Sequence, residues 1–177
     1  VKVVNALLAR KEIQINQATN NGWTPLSIAC YRGHVKVVEV LLARKEIQIN
    51  QANNVGGTPL SIACYQGHVK VVNVLLARKE ISHYLKEEIQ INQANNDGWT
   101  PLSIACGRGH VEIVQTLLAV DDIEVNQAND DGHTPLYVAC EFGHLKVVEK
   151  LLAVDGIEVN QANDEGTTPL CIACAKG

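Results

Sequence analysis

The sequence contains no methionine, and its aromatic residues are limited to two tryptophans, four tyrosines and one phenylalanine. Because methionine is absent, residue 1 is not expected to be a native start, and the chain reads as a piece of a longer protein. No apolar run approaches the roughly 18 residues that a membrane helix needs, and no signal peptide is visible. With 46% apolar residues, the chain is nevertheless expected to fold around a buried core.

Positive charge is also scarce, since the formal net charge is −4. This balance offers no electrostatic case for binding nucleic acid. The charge is uneven: residues 1–99 carry 11 Lys and Arg against 7 Asp and Glu, whereas residues 100–177 carry 4 against 12. A partner of complementary polarity would be oriented by such an asymmetry. The alternative is that the charged residues only keep the surface solvated, and that the asymmetry arose by sequence drift as the repeats were duplicated.

A seven-residue phrase recurs along the chain at a regular interval. TPLSIAC begins at Thr24, Thr58 and Thr100, TPLYVAC begins at Thr134, and TPLCIAC begins at Thr168. The intervals are 34, 42, 34 and 34 residues, so the second interval is the common one plus eight. A glycine comes shortly before each phrase, and a GHVKVV-like segment follows each complete one. A fixed period of this length is the signature of stacked structural repeats.

Each repeat predicts two short helices and an extended arm. Thr24 followed by Pro25 is typical of a helix start, because a threonine oxygen caps the free amides and proline needs no partner there. Gly33 is expected to end this helix and His34 to open a second one, whose apolar residues share one face. The INQANN-G segment predicts an extended arm with an Asn/Gly turn. Neither helix can bury its apolar face alone, so neighbouring repeats must stack.

The full pattern, G-x-T-P-L-x-x-A-x-x-x-G-H-x-x-x-V-x-x-L-L with a closing Asn, resembles the ankyrin repeat. The resemblance covers the whole chain and implies an all-α ankyrin-repeat solenoid of helix-turn-helix units with extended, hairpin-like arms. It divides a single array, 1–177, into a partial repeat 1–21, repeats 22–55, 56–97 (with an eight-residue insertion), 98–131 and 132–165, and a partial repeat 166–177. Two departures are visible. The period is 34 rather than 33, and other residues replace the histidine usual after T-P-L: Ser27, Ser61, Ser103, Tyr137 and Cys171.

The chain opens on a second helix and closes on a first helix. Neither end carries the polar outer face that terminal repeats need for solubility. We expect these residues to be either the ordered part of a longer array or a fragment cut in this phase. Because the two ends are complementary, copies of the chain could stack head to tail.

Residues with catalytic or metal-binding chemistry recur at equivalent places and therefore predict structural roles. They are His34, His68, His110 and His144, the cysteines Cys30, Cys64, Cys106, Cys140 and Cys174, and the asparagines Asn16, Asn50, Asn92, Asn126 and Asn160. The cysteines are expected to be small buried hydrophobes in a reducing compartment. Cys171 and Cys174 form a C-x-x-C pair, but no second pair completes a metal site.

The residues therefore predict neither an enzyme, a cofactor nor a metal site, and neither a nucleic-acid nor a membrane partner. The free cysteines and the resemblance together imply an intracellular, cytoplasmic location.

The resemblance implies a protein–protein interaction module, because variable arm-tip and first-helix positions line a concave face in ankyrin-like arrays. Carried over to this chain, the partner-binding residues are Trp23, Tyr31, Arg32, Tyr65, Gln66, Trp99, Arg108, Asp131, His133, Glu141 and Phe142. Aromatic residues and arginine carry most interface energy, which favours a binding surface. Two alternatives remain open: Trp23 and Trp99 pack between neighbouring arms, or the array is a passive spacer for an activity elsewhere.

The eight extra residues, Ile81–Glu88, follow the second helix of the repeat 56–97. Their apolar spacing, without Gly or Pro, predicts a prolonged second helix or a short extra helix. The repeat pattern resumes at Ile89, so stacking is expected to be undisturbed. The insertion is either a neutral copying slip or a partner-contacting knob that uses His83 and Tyr84.

Overall fold

The computed structural model describes residues 1–77 and 88–177. The described residues form ten α-helices and no β-strand. The helices are α1 (Lys2–Leu8), α2 (Pro25–Tyr31), α3 (Val35–Leu42), α4 (Pro59–Gln66), α5 (Val69–Ala77), α6 (Pro101–Gly107), α7 (Val111–Leu118), α8 (Pro135–Glu141), α9 (Leu145–Leu152) and α10 (Pro169–Lys176). They divide into two compact units, unit 1 (Val1–Gln90) and unit 2 (Ile91–Gly177).

The first helix of each repeat starts at the Thr-Pro dipeptide, as predicted. In α2, Thr24 has an extended backbone and its hydroxyl oxygen accepts a hydrogen bond of 3.1 Å from the Ser27 amide. The same cap occurs at the four other phrases, at Thr58, Thr100, Thr134 and Thr168. Such a cap stabilises a helix by about 1 kcal/mol, so the recurring phrase defines where each first helix begins.

The histidine that opens each second helix does more than the sequence predicts. At α3, α7 and α9 this histidine is the N-cap residue, but its side chain makes no capping hydrogen bond. Instead, the ring reaches the preceding repeat: His68 Nε2 lies 3.0 Å from the Tyr31 carbonyl oxygen. In unit 2, His144 Nε2 lies 3.1 Å from the Gly107 carbonyl oxygen. The histidine therefore links neighbouring repeats.

Unit 1 is a stack of helix pairs around an apolar core. Its first helices α2 and α4 pack on each other and on their second helices α3 and α5, which also contact one another. Leu26, Val38, Leu60 and Leu75 are among its fully buried side chains. The predicted apolar face of the second helix is therefore a buried face.

Unit 2 repeats the arrangement with α6, α8 and α10 as first helices. Neighbouring first helices pack on each other, and α7 and α9 contact both their own first helices and each other. Leu102, Ile113, Leu117, Leu136 and Leu151 are fully buried. The two units thus bury equivalent positions of the repeat.

The cysteines follow the prediction only in part. Cys30, Cys64 and Cys106 are buried, Cys140 is half-buried, and all six cysteines are free thiols. Cys174, predicted as a buried core cysteine, is exposed. It lies on α10, the last helix of the described residues.

The arms are tight hairpin-like turns rather than strands. In the second arm, the Asn53 amide donates to the Gly57 carbonyl at 3.0 Å, and the Gly56 amide donates back to Asn53 at 2.9 Å. The Asn53 side-chain oxygen also accepts from the amides of Val55 and Gly57. The extended arm with an Asn/Gly turn is thereby confirmed, and asparagine is explained because its short side chain completes the turn.

The asparagine after each second helix links one repeat to the next. Asn16 donates to the Glu46 carbonyl at 2.7 Å and accepts from the Gln48 amide at 3.0 Å. Asn92 and Asn126 make the same pair of bonds in unit 2, across 30 and 32 residues of sequence. The predicted structural role of these asparagines is confirmed.

The same bonds show how unit 1 accommodates its insertion. Asn50 donates to the Glu88 carbonyl at 2.7 Å and accepts from the Gln90 amide at 2.9 Å, across 38 and 40 residues. These separations are eight residues longer than at the other asparagines, so the repeat resumes without a shift. The predicted extra helix and the His83–Tyr84 knob lie outside the described residues.

Candidate interaction surfaces

In unit 1, the arms at 18–23 and 52–57 and the first helices α2 and α4 carry the predicted partner-binding residues. We call this surface 1. Its arms adjoin because the Asn54 amide donates to the Asn21 carbonyl at 3.2 Å. The adjoining arms and packed first helices bring the predicted residues of unit 1 onto one surface: Trp23, Tyr31, Arg32, Tyr65 and Gln66.

Three of these side chains form a compact stack. The rings of Trp23 and Tyr31 meet edge to face, with centroids 5.4 Å apart and an interplanar angle of 85°. The guanidinium carbon of Arg32 lies 5.4 Å from the centroid of the Tyr31 ring, within cation–π distance. Trp23 is half-buried and contacts Tyr31 of its own repeat, so it joins an arm tip to a first helix.

The outer part of surface 1 is accessible. Tyr31 is 39% exposed and Tyr65 is 48% exposed, whereas Arg32 is exposed and Gln66 is half-buried. Val55, at the tip of the second arm, is 64% exposed. Surface 1 therefore presents apolar and aromatic area beside one guanidinium group.

Surface 1 is almost uncharged apart from that group. The segments 18–33 and 52–67, which build it, contain one charged side chain, Arg32, and neither Asp nor Glu. The acidic residues of unit 1 lie elsewhere: Glu39 on α3 pairs with Lys36 at 3.0 Å, and Glu12 pairs with Arg10 at 2.7 Å. The two segments that build surface 1 therefore carry a formal charge of +1.

In unit 2, the arms at 94–99, 128–133 and 162–167 and the helices α6, α8 and α10 form the equivalent surface 2. The Asp130 amide donates to the Asp97 carbonyl at 3.3 Å, and the Asp164 amide donates to the Asp131 carbonyl at 3.2 Å. These bonds place successive acidic arm tips side by side. The predicted residues of unit 2 on this surface are Trp99, Arg108, Asp131, His133, Glu141 and Phe142.

Surface 2 has the opposite charge from surface 1. Its segments 94–109, 128–143 and 162–177 contain two basic residues, Arg108 and Lys176. They contain six acidic residues, namely Asp97, Asp130, Asp131, Glu141, Asp164 and Glu165. Lys176 Nζ lies 3.9 Å from Glu141 Oε1, so part of this acidic potential is already balanced within the unit.

Phe142 is the main exposed aromatic residue of surface 2, with 58% of its area accessible. It lies beside Gly107, where a built Cβ would come 3.9 Å from the ring and only 2.9 Å from Val138. Gly107 occupies the position that Tyr31 and Tyr65 occupy in unit 1. A side chain at position 107 would therefore crowd Val138 of the next first helix, and Arg108 follows a glycine rather than a tyrosine.

A polar aromatic cluster in unit 2 was not predicted from the sequence. His133 stacks on Tyr137 with ring centroids 4.4 Å apart and planes 4° from parallel. Asn163 Nδ2 lies 3.2 Å from His133 Nε2 and 3.5 Å from the Tyr137 hydroxyl. The Asn163 oxygen accepts from the amides of Glu165 and Thr167, so its nitrogen must donate, and His133 Nε2 must be an unprotonated acceptor.

Tyr137 stands where the three preceding complete repeats have serine. Burial, and then the negative charges of Glu141 and Glu165, raise the pKa of Tyr137 above its usual value. The sequence did mark these two positions, because His133 and Tyr137 both differ from the residues at equivalent positions of the other repeats. Their pairing with Asn163 depends on the packing of one repeat on the next, which the repeat pattern does not specify.

The described residues contain no group of three or more His, Cys, Asp or Glu side chains arranged to hold a metal ion. Within the same ranges, 1–77 and 88–177, none of the helices is long and apolar enough to cross a bilayer.

On α1, Val3 and Leu7 are exposed, and on α10, Leu170 is exposed. Head-to-tail association of copies stays a prediction, which light scattering at high concentration tests.

Comparison with protein families assigns the repeat. A family model described as ankyrin repeats (3 copies) matches residues 1–86, 78–163 and 122–177, which together span the whole chain. No curated protein matches the chain. Ankyrin repeats are generally non-catalytic modules for protein–protein interaction, and the predicted all-α ankyrin-repeat class is confirmed. The chain belongs to the ankyrin-repeat family.

Proposed function

We propose that this chain is a non-catalytic module that binds a protein partner through the arm tips and first helices, the concave face of an ankyrin stack. The observation that carries the proposal is the exposure of large side chains at positions that break the repeat. Tyr31, Tyr65 and Phe142 are 39%, 48% and 58% exposed. Exposed aromatic residues of this kind dominate binding energy in interfaces, because they bury a large area with few rotatable bonds.

The repeated residues support the same proposal by elimination. The threonines cap helices, the asparagines join repeats, and His68 and His144 bond to the preceding repeat. Wherever the structure shows these bonds, the side chains concerned are already engaged in holding the repeats together. The residues left to recognise a partner are the ones that differ between repeats, including the pairs Tyr31–Arg32 and Glu141–Phe142.

The test is capture from a cell lysate by the whole chain and by a fourfold variant. The variant carries Tyr31→Ala, Trp99→Ala, Arg108→Ala and Phe142→Ala. A matched control carries four substitutions of exposed second-helix residues: Lys70→Ala, Glu112→Ala, Lys146→Ala and Glu149→Ala. Circular dichroism establishes that all three chains are equally helical.

A protein held by the wild-type chain and the control, but lost by the fourfold variant, is the expected result. Loss of each hot-spot side chain costs about 1–4 kcal/mol of binding energy, so four together abolish capture. Identical capture by all three chains, or no capture by any, would reject this function. It would favour a passive spacer for an activity elsewhere in a longer protein.

A further inference from the structure

We infer that surface 1 recognises a peptide segment that presents an Asp or Glu carboxylate beside an apolar side chain. This inference rests on the proposed function and adds the chemistry of the partner. Its ligand-binding elements are the Trp23–Tyr31–Arg32 stack and the exposed ring of Tyr65.

The geometry around Arg32 favours an anionic ligand. The Arg32 guanidinium lies over the Tyr31 ring at 5.4 Å, and Trp23 holds that ring edge-on at the same distance. The guanidinium carries its N–H donors in a planar fork that matches the two oxygens of a carboxylate. The cation–π contact with Tyr31 favours one position of this exposed side chain, so less conformational entropy is lost when a ligand binds.

The charge of surface 1 also favours a carboxylate. Arg32 is the one charged residue in the two segments that build surface 1, and these segments contain neither Asp nor Glu. Lys36 is paired with Glu39 on the second helix α3. A carboxylate arriving at surface 1 therefore meets a positive group and no like charge from these segments, which favours it over a neutral or basic group.

The neighbours of Arg32 on surface 1 favour an apolar side chain beside that carboxylate. Tyr31 and Tyr65 occupy equivalent positions on the packed helices α2 and α4, and both are exposed. In the second arm, Gly57 stands where the preceding repeat has Trp23, so this arm adds no aromatic ring to surface 1. Exposed aromatic area beside a single cation fits an apolar side chain adjacent to a carboxylate.

Unit 2 shows that the arginine alone does not create this site. Arg108 ends its helix α6 as Arg32 ends α2. Gly107 precedes Arg108, however, and the surrounding surface 2 carries six carboxylates. The stack and the surrounding charge, rather than the position in the repeat, make surface 1 selective for an anion.

The experiment selects dodecapeptides from a random display library on the whole 177-residue chain. Each enriched sequence is then synthesised in two forms, with its acidic residue intact and with that residue replaced by the corresponding amide. Binding is measured by fluorescence anisotropy at about 150 mM salt, where interactions between distant charges are screened. The expected result is at least about 10-fold tighter binding of the acidic form, as for a charge-assisted bidentate pair.

Variants of the chain assign that preference to the stack. Arg32→Gln should abolish the difference between acidic and amide peptides, and Arg32→Lys should reduce it, because lysine keeps the charge but not the planar fork. Tyr31→Leu should also reduce it while retaining apolar area. The control Lys70→Gln removes the same charge from an exposed position on α5 and should leave the preference unchanged.

Several outcomes would overturn the inference. These are the absence of any enriched peptide, equal binding of the acidic and amide forms, or a preference that survives Arg32→Gln. Self-association lost on Arg32→Gln would instead assign the carboxylate to a second copy of the chain. The fourfold variant can lose lysate capture while acidic and amide peptides bind the chain equally well. In that case protein binding stands and only the carboxylate specificity is discarded.

Discussion

Unit 1 and unit 2 are built from the same repeat but carry opposite charge. Residues 1–90 contain eleven Lys and Arg against six Asp and Glu, whereas residues 91–177 contain four against thirteen. Their arm tips differ in the same sense: unit 1 has Asn20, Asn21 and Asn54, and unit 2 has acidic residues at most equivalent positions. Their helices, caps and cores nevertheless coincide in position.

The difference teaches which contacts constrain a repeat. Thr24 and Asn16 have counterparts in both units because each makes a bond that every repeat needs. Tyr31 and its counterpart Gly107 differ because the histidine of the next repeat bonds to the backbone carbonyl at that position and not to a side chain. The residues that build the scaffold and the candidate surface residues are therefore separate sets, and one can change without the other.

The largest expected difference is in thiol reactivity, between the buried Cys30 of unit 1 and the exposed Cys171 of unit 2. Burial raises the pKa of the Cys30 thiol to about 12, and it also raises the pKa of Cys64. Hydrogen bonding to Thr168 instead lowers the pKa of Cys171, which is exposed. Because the thiolate is the reactive form, a disulfide reagent at pH 7 should modify Cys171 at least about 1000-fold faster than Cys30.

Peptide mapping by mass spectrometry measures these rates residue by residue. In guanidinium chloride all six thiols should react alike, which serves as the control. Because its pKa is lowered, Cys171 keeps more thiolate as the pH falls, so its rate between pH 9 and pH 7 should fall less than that of unfolded thiols. Comparable labelling of Cys30 in the native chain would mean that unit 1 is not packed as described.

A smaller effect is expected from glycines at the arm turns. Gly22 in unit 1 and Gly98 in unit 2 have φ values of +79° and +78°, and a Cβ on either would lie within 2.8 Å of a backbone amide nitrogen of the next arm. Substitution by alanine should therefore add a backbone clash to the left-handed strain. We expect a loss of about 3 kcal/mol of unfolding free energy at each site.

Gly166 provides the matched control. Its φ is +77°, but no atom lies within 4 Å of its built Cβ, so Gly166→Ala should cost only the strain of about 1–2 kcal/mol. Denaturant unfolding followed by circular dichroism compares the three variants. If Gly166→Ala costs as much as Gly98→Ala, the close approach of adjacent arms is not what requires glycine.

The smallest expected effect tests whether the insertion weakens unit 1. Asn50 bridges the insertion, and Asn126 makes the equivalent bonds in unit 2 without one. Replacing either by alanine removes two hydrogen bonds and should lower the unfolding free energy by about 1–3 kcal/mol. Asn50→Ala should cost slightly more. Asn50 is buried, so the backbone groups that the substitution leaves unpaired are less able to bond with water.

Equilibrium unfolding of the two asparagine variants gives the comparison directly. A much smaller loss for Asn50→Ala than for Asn126→Ala would show that the bonds across the insertion are weaker than their geometry indicates. It would then contradict the conclusion that the repeat resumes without a shift at Ile89.

Much of the fold followed from local patterns in the sequence. Thr24-Pro25 located a helix start because capping depends on neighbouring residues only, and the asparagine of each arm predicted a turn for the same reason. The 34-residue period predicted stacking, since neither helix of a repeat can bury its face alone. The candidate surface residues were identified as the ones that break this period, and their role as a binding site stays a prediction.

The sequence by itself thus determined the repeat, the helix boundaries and the charge of each half, because these depend on local chemistry and composition. The tertiary structure decided what the repeat could not encode. It placed the Arg32 guanidinium over Tyr31, brought Asn163 to His133 and Tyr137, and left Cys174 exposed. Those contacts depend on side-chain packing around each residue, within a repeat or between successive repeats, and that packing differs wherever a neighbouring side chain differs.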